Sequence, residues 1–124
     1  MVRNQHRGEA LRARLRAALS EAMKRRDAIA TSALRSALAA IDNAEAVGLT
    51  HAPAPSPSGT IAGAIGGLCA AEVPRRELGG DELAAILDAE INQRRVAADD
   101  YARRGAHDRA ARLRAEADAL AAAR

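Results

Sequence analysis

The sequence predicts an all-α fold: two antiparallel helical hairpins, four helices in all, packed as a small bundle and joined by a long Pro/Gly-rich insert. Three observations predict it. The 124 residues include 34 Ala alongside the helix formers Leu, Arg and Glu, with no Phe, no Trp and a single Tyr. That composition withholds the aromatic and β-branched residues a sheet packs with. Apolar residues recur at i, i+3 and i, i+4 spacing on both sides of the insert, the period of one buried helix face. Finally, all four Pro and seven of the nine Gly lie between Gly48 and Gly80, so the helix breakers are confined to one segment.

The elements follow in order. Leu11, Leu15, Leu19 and Met23, with Ala18 and Ala22 beside them, make one stripe of a first helix from about residue 9 to 25. Asp27 is placed to cap the next helix. Ala30, Leu34, Ala37, Leu38 and Ile41 face one way along that helix to about Ala46, where Gly48 is available to end it. The connection at Arg26 and Asp27 is so short that the two helices must be antiparallel neighbours, forming a hairpin over about 9–46. Residues 48–80 form the insert; its stretch 51–59, with three Pro, is expected to be extended and mobile. Asp81 then caps a helix running to about Arg104, with Leu83, Leu87, Ile91, Ala98 and Tyr101 as its stripe and Ile86 alongside. Gly105 fits the left-handed position that ends helices. A last helix from about His107 carries Ala110, Leu113, Ala117 and Leu120, completing a hairpin over about 81–124. Acid-to-base i, i+4 pairs support the assignment: Glu21/Arg25, Glu90/Arg94, Asp99/Arg103, Asp100/Arg104 and Asp108/Arg112.

The length suits one domain, 1–124, and not two with separate cores. Only 22 residues are Leu, Ile or Val, so the core should be thin. Ala contributes little burial energy, and self-association into a homo-oligomer is a natural reinforcement. No apolar run follows the N-terminus, and the least polar stretch, 61–71, is too short to span a membrane. A single Cys, Cys69, excludes an internal disulfide and fits the reducing cytoplasm.

Charge is unevenly placed. Residues 1–26 carry eight basic groups against Glu9 and Glu21, a net of +6, while the remainder carries a net of −3. A cationic arm of this kind suits phosphate backbones or an acidic partner, and reads equally as a solvated helix face. The basic clusters are Lys24-Arg25-Arg26, Arg94-Arg95 and Arg103-Arg104. If both helix turns lie at one end, these form a single patch. No aromatic side chain interleaves them to stack bases. Catalytic and metal chemistry is not legible: His6, His51 and His107 are scattered, the glycines of 59–67 lack the Gly-Lys-Ser/Thr ending of a phosphate loop, and Cys69 has no base nearby. The neighbours Asp99 and Asp100 point about 100° apart on a helix and cannot converge on one substrate. No cofactor, metal or membrane partner is expected.

The ordered set Leu34, Arg35, Ile41, Asp42, Asn43, Ala44 and Glu45, then Glu77, Leu78, Asp81 and Glu82, then Glu90, Ile91, Asn92, Gln93, Arg94 and Arg95, then Tyr101, Gly105, Asp108, Arg112, Glu116 and Ala117, resembles the YqeY-like family. With the opening Leu11 to Lys24 it covers all four helices and omits the insert. The family continues into a second small helical domain, and its connection between hairpins is shorter than residues 48–80. The resemblance implies an all-α fold like the tail of the B subunit of the glutamyl/aspartyl-tRNA amidotransferase, which helps hold tRNA while other parts perform the amide chemistry. The family label is a carbon–nitrogen ligase with glutamine as amido donor, and it implies no catalytic residues here. Arg35, Asn43, Glu45, Gln93 and Arg94 match its pattern.

The expected function is therefore a cytoplasmic, non-catalytic accessory or tRNA-binding module, alone or within an amidotransferase complex. Lys24, Arg25, Arg26, Arg35, Arg94 and Arg95 are the candidate nucleic-acid contacts. The rival is a protein-interaction or structural helical domain that binds no RNA.

Overall fold

The computed structural model describes residues 2–50 and 78–124, with only the backbone course at 47–50. The expectations placed on the Pro-rich stretch, on the glycines of 59–67, and on His51, Cys69 and Glu77 lie outside the described residues. Four helices make up the rest: α1 (Val2–Lys24), α2 (Ala28–Thr50), α3 (Gly80–Arg103) and α4 (His107–Ala123). None is long and apolar enough to cross a membrane. By packing, the chain divides into one unit of Met1–Ile41 with Leu78–Arg124 and another of Asp42–Glu77. The described part of the second is the last stretch of α2, where Glu45 is buried and Asn43 exposed.

In the first unit α3 and α4 form a hairpin, and α1 packs along it. Leu11, Leu15 and Ala22 of α1 are buried, as are Ala30, Ala33, Leu34, Ala37 and Ile41 of α2. Leu83, Leu87, Ile91 and Ala98 of α3 join them, with Ala110, Ala117, Leu120 and Ala123 of α4. About half of these positions are Ala, so the core is as thin as the composition predicts.

Several stripe members depart from expectation, among them Leu38 of α2, which is half-buried. Met23 is 49% exposed and Leu19 only half-buried. A run of i+4 steps advances 40° too far at each step on a 3.6-residue helix. From Leu11 through Leu19 to Met23 the run therefore rotates off the core face. The i+7 step from Leu15 to Ala22 stays on it. Tyr101 and Leu113 likewise sit half-buried, and the guanidinium of Arg109 covers the Tyr101 ring at 5.7 Å from its centroid.

Both hairpin turns close with the same hydrogen bonds. At the end of α1, Arg26 N–H donates to Met23 O (3.1 Å) and Asp27 N–H to Ala22 O (2.9 Å). At the end of α3, Gly105 N–H donates to Ala102 O (3.0 Å) and Ala106 N–H to Tyr101 O (2.9 Å). Each is a Schellman closure with a left-handed residue after the cap. Gly105 fills that place at φ 81°, as its position predicts, whereas the first turn fills it with Arg26 at φ 58°. Asp27 then caps α2, its Oδ1 accepting from Ala30 N–H at 3.0 Å.

The helix ends bring three corrections. α1 begins at Val2 instead of near residue 9, α2 runs through Gly48 to Thr50, and Asp81 does not cap α3. The N-cap of α3 is Gly79, and the capping oxygen comes from α1: Asn4 Oδ1 accepts from Asp81 N–H at 3.1 Å. This junction holds the first two turns of α1 in helix. A Cβ on Gly8 would lie 2.8 Å from Leu78 O, and one on Gly80 would lie 2.7 Å from Arg7 Cβ. The two backbones approach closely because neither glycine carries a side chain. Gly8 is a poor helix former by propensity, and its missing side chain is what lets α3 dock.

Candidate nucleic-acid interface

The α1–α2 turn gathers four of the six candidate contacts. Lys24, Arg25 and Arg26 are all exposed, and Arg35, one to two turns into α2, lies close enough for its Nη2 to meet Met23 Sδ at 3.8 Å. Two acids share this end. Lys24 Nζ stands 3.5 Å from Glu21 Oε1, and Arg25 Nη2 stands 4.0 Å from Asp27 Oδ2. Exposed ion pairs of this length hold their partners weakly. No ion pair holds Arg26 among the described residues. The tip therefore presents four cations against Glu21 and Asp27, with Asp118 of α4 lining the groove beside Arg25, a surface suited to a polyanion.

Arg94 is placed elsewhere and differently. Its side chain is only 12% exposed; Nη1 donates to the Glu90 backbone oxygen and to Glu90 Oε1, both at 3.1 Å, and Nε donates to Glu116 Oε1 at 3.4 Å. Glu90 and Glu116 are themselves 18% and 15% exposed. This guanidinium ties α3 to α4 and is committed to two carboxylates. Its neighbour Arg95 is exposed, in a shallow groove of about 330 Å³ shared with Asp99, Arg114 and Asp118, where Arg114 Nη2 meets Asp99 Oδ1 at 3.3 Å. Two acids balance two guanidiniums there. Gln93 is exposed on α3.

The basic clusters do not merge. Arg25 lines a groove of about 590 Å³ with Ala18, Leu34, Ala115, Asp118 and Ala119, which sets the first turn beside the second half of α4. Asp118 lies thirteen residues beyond Gly105, roughly 20 Å at 1.5 Å per residue. Arg103 and Arg104 are back at the α3–α4 turn, both paired with Asp100 at 3.5 and 3.1 Å. Asp118 lines both grooves and so stands between Arg25 and Arg95.

Sequence spacing anticipated the Glu90–Arg94 and Asp100–Arg104 pairs and missed the partners supplied by other helices. Asp99 pairs with Arg114 instead of Arg103, and Glu116 joins Arg94. Sequence reading also missed the basic residues that α1 brings to α3 and α4, Arg7 and Arg14. The net charge of residues 1–26 was the one signal that pointed to them. Among the described residues no group of three or more His, Cys, Asp or Glu is placed to hold a metal ion. No family model, curated protein or solved structure matches this chain.

Proposed function

We propose that this chain is a YqeY-like helical module of the cytoplasm that binds tRNA through the α1–α2 turn and performs no amide transfer itself. The relation to tRNA-dependent amidotransferases rests on the residue pattern in α2, α3 and α4. The observation that carries the binding role is the gathering of Lys24, Arg25, Arg26 and Arg35 at one exposed tip. Its cations are free to exchange weak intramolecular partners for phosphate oxygens. With no aromatic platform at the tip, contacts fall on the backbone and read shape more than sequence. In an amidotransferase complex such a tip holds the nucleic acid while another subunit supplies the chemistry.

Titration of end-labelled tRNA with the full chain at 50 and 150 mM salt tests this. Binding should weaken at the higher salt, and the Arg25→Ala/Arg26→Ala variant should bind several-fold more weakly, its log–log salt slope reduced by about 1.4 to 1.8. A flat titration of the unaltered chain at 50 mM salt removes the proposal. Glutamine-dependent amide transfer by the chain alone refutes its non-catalytic part.

A further inference from the structure

We infer that the groove where α1 crosses the start of α3 and the end of α4 is a second seat for the phosphodiester backbone of RNA. It rests on the reading of the chain as an RNA-binding module and adds a site lined by none of the cations of the α1–α2 turn. Arg7, Arg14 and Arg124 line this groove of about 350 Å³, and Ala10, Leu11, Gly80 and Ala84 floor it. The floor is small because the crossing demands it: a Cβ on Gly80 would meet Arg7 Cβ at 2.7 Å and Asn4 O at 3.2 Å. Three guanidiniums thus stand around a shallow floor that an anion can approach.

The cations are available. Arg7 Nη1 lies 3.7 Å from Asp81 Oδ1, with the two side chains 68% and 76% exposed. Arg124 Nη1 lies 2.7 Å from Asp88 Oδ1, both about half exposed. Asp81 and Asp88 are the acids paired with the groove's arginines, and solvent-exposed pairs exchange readily for a stronger anion. Arg14 is exposed and has no ion-pair partner among the described residues. Arg7 and Arg14 lie seven residues apart on α1, roughly 10 Å along its axis, which sets them to meet separate phosphates along a strand.

The chemistry favours nucleic acid over an acidic protein. Protein partners are anchored by buried aromatic or large aliphatic side chains in pockets, and this groove offers alanines, a glycine and a Leu11 that the core already holds at 4% exposure. Attraction by forked guanidinium donors, without an apolar anchor, is how backbone phosphates are held.

The experiment is fluorescence anisotropy of a labelled 20-nucleotide single-stranded RNA of mixed sequence with the full chain at 50 mM salt. Polyglutamate serves as competitor. Arg7→Gln/Arg14→Gln should weaken binding about tenfold and lower the salt slope by about 1.4, one counterion step per lost contact on a single strand. Arg7→Lys/Arg14→Lys, which keeps the charge and the exposed helix face, should stay within about threefold of the unaltered chain. Circular dichroism at 222 nm checks that each variant is folded. Undiminished binding by Arg7→Gln/Arg14→Gln overturns the second seat, whatever the Arg25→Ala/Arg26→Ala variant does. Loss confined to this groove, with the turn variant unaffected, supports the seat as the contact for a single strand. Absence of binding of this strand by the unaltered chain overturns the seat and leaves the tRNA reading to the tRNA titration, and displacement of RNA by equimolar polyglutamate overturns the preference for phosphate.

Discussion

Replacing Arg26 by Gly should stabilise this protein, although it removes a charged side chain and adds no contact. Arg26 sits at φ 58°, in the left-handed region, where a side chain with a Cβ costs about 1–2 kcal/mol. Glycine escapes that cost and returns about 0.5–1 kcal/mol through the greater freedom of its unfolded chain. The net expectation is a gain of about 0.5–1 kcal/mol, a rise in Tm of roughly 2–4 °C for a domain of this size. No ion pair is lost, because Arg26 has none among the described residues.

The second turn supplies the reciprocal experiment. Gly105 has φ 81°, and a Cβ built on it meets nothing within 4 Å. Gly105→Ala should therefore cost about 1 kcal/mol through backbone strain alone. Arg26→Ala, which keeps the strain and removes the guanidinium, should change stability by less than about 0.5 kcal/mol, as surface substitutions do. Urea unfolding followed at 222 nm reads all three as midpoint shifts at constant slope. If Arg26→Gly and Arg26→Ala both lower the midpoint equally, the side chain holds the turn and the strain argument fails. If Gly105→Ala leaves the midpoint unmoved, the left-handed penalty is not operating in these closures.

Two further outcomes are expected. Gly8→Ala improves intrinsic helix propensity by up to about 1 kcal/mol, but its Cβ would lie 2.8 Å from Leu78 O and 3.0 Å from Leu83 Cδ1. Backbone cannot give way as a flexible side chain does, so the variant should lose about 1–3 kcal/mol net by urea unfolding. A gain in stability would show that α1 and α3 do not cross here. Arg94→Ala leaves the Glu90 and Glu116 carboxylates facing each other at 18% and 15% exposure, and should cost about 2–3 kcal/mol, less than a fully buried pair. A cycle with Glu116→Gln should show a coupling of about 1 kcal/mol or more; strict additivity would mean the two do not interact.

What the sequence revealed and what it concealed have separate physical causes. Helix existence and the two turns were legible because periodicity, Asp27 and Gly105 are local signals, and the structure shows all four helices with the expected hairpin order. Leu19 and Met23 were misread because i+4 steps rotate off the core face; the other misread positions depend on residues distant in the chain. Gly8 and Gly80 break a helix by propensity alone, and only their mutual approach explains why α1 starts at Val2. Asn4 caps a helix 77 positions away, a role no local motif announces. Arg94 reads as one of a basic pair, and its second carboxylate, Glu116, lies 22 positions on. For the candidate interface, composition revealed that α1 is cationic. Which cations stay exposed depends on packing, and packing separates Arg94 from Lys24, Arg25, Arg26 and Arg35.

The two turns bear on function through a comparison internal to the chain. They share hydrogen bonds and handedness, and differ in whether the strained place holds Gly or Arg. Stability alone favours Gly at both. By the strain argument Arg at position 26 should lower stability, and it places a guanidinium without an ion pair among the described residues at the tip, the pattern expected when local strain is kept for binding. The same substitution therefore discriminates between a functional and an indifferent surface. If the tip holds tRNA, Arg26→Gly gains stability and loses roughly one phosphate contact, a fall of about 0.7–0.9 in the salt slope. Arg26→Lys keeps strain and charge, and so keeps both stability and slope. If the tip is only solvated, Arg26→Gly gains stability and leaves the slope unchanged, and the guanidinium there has no binding role to set against its cost.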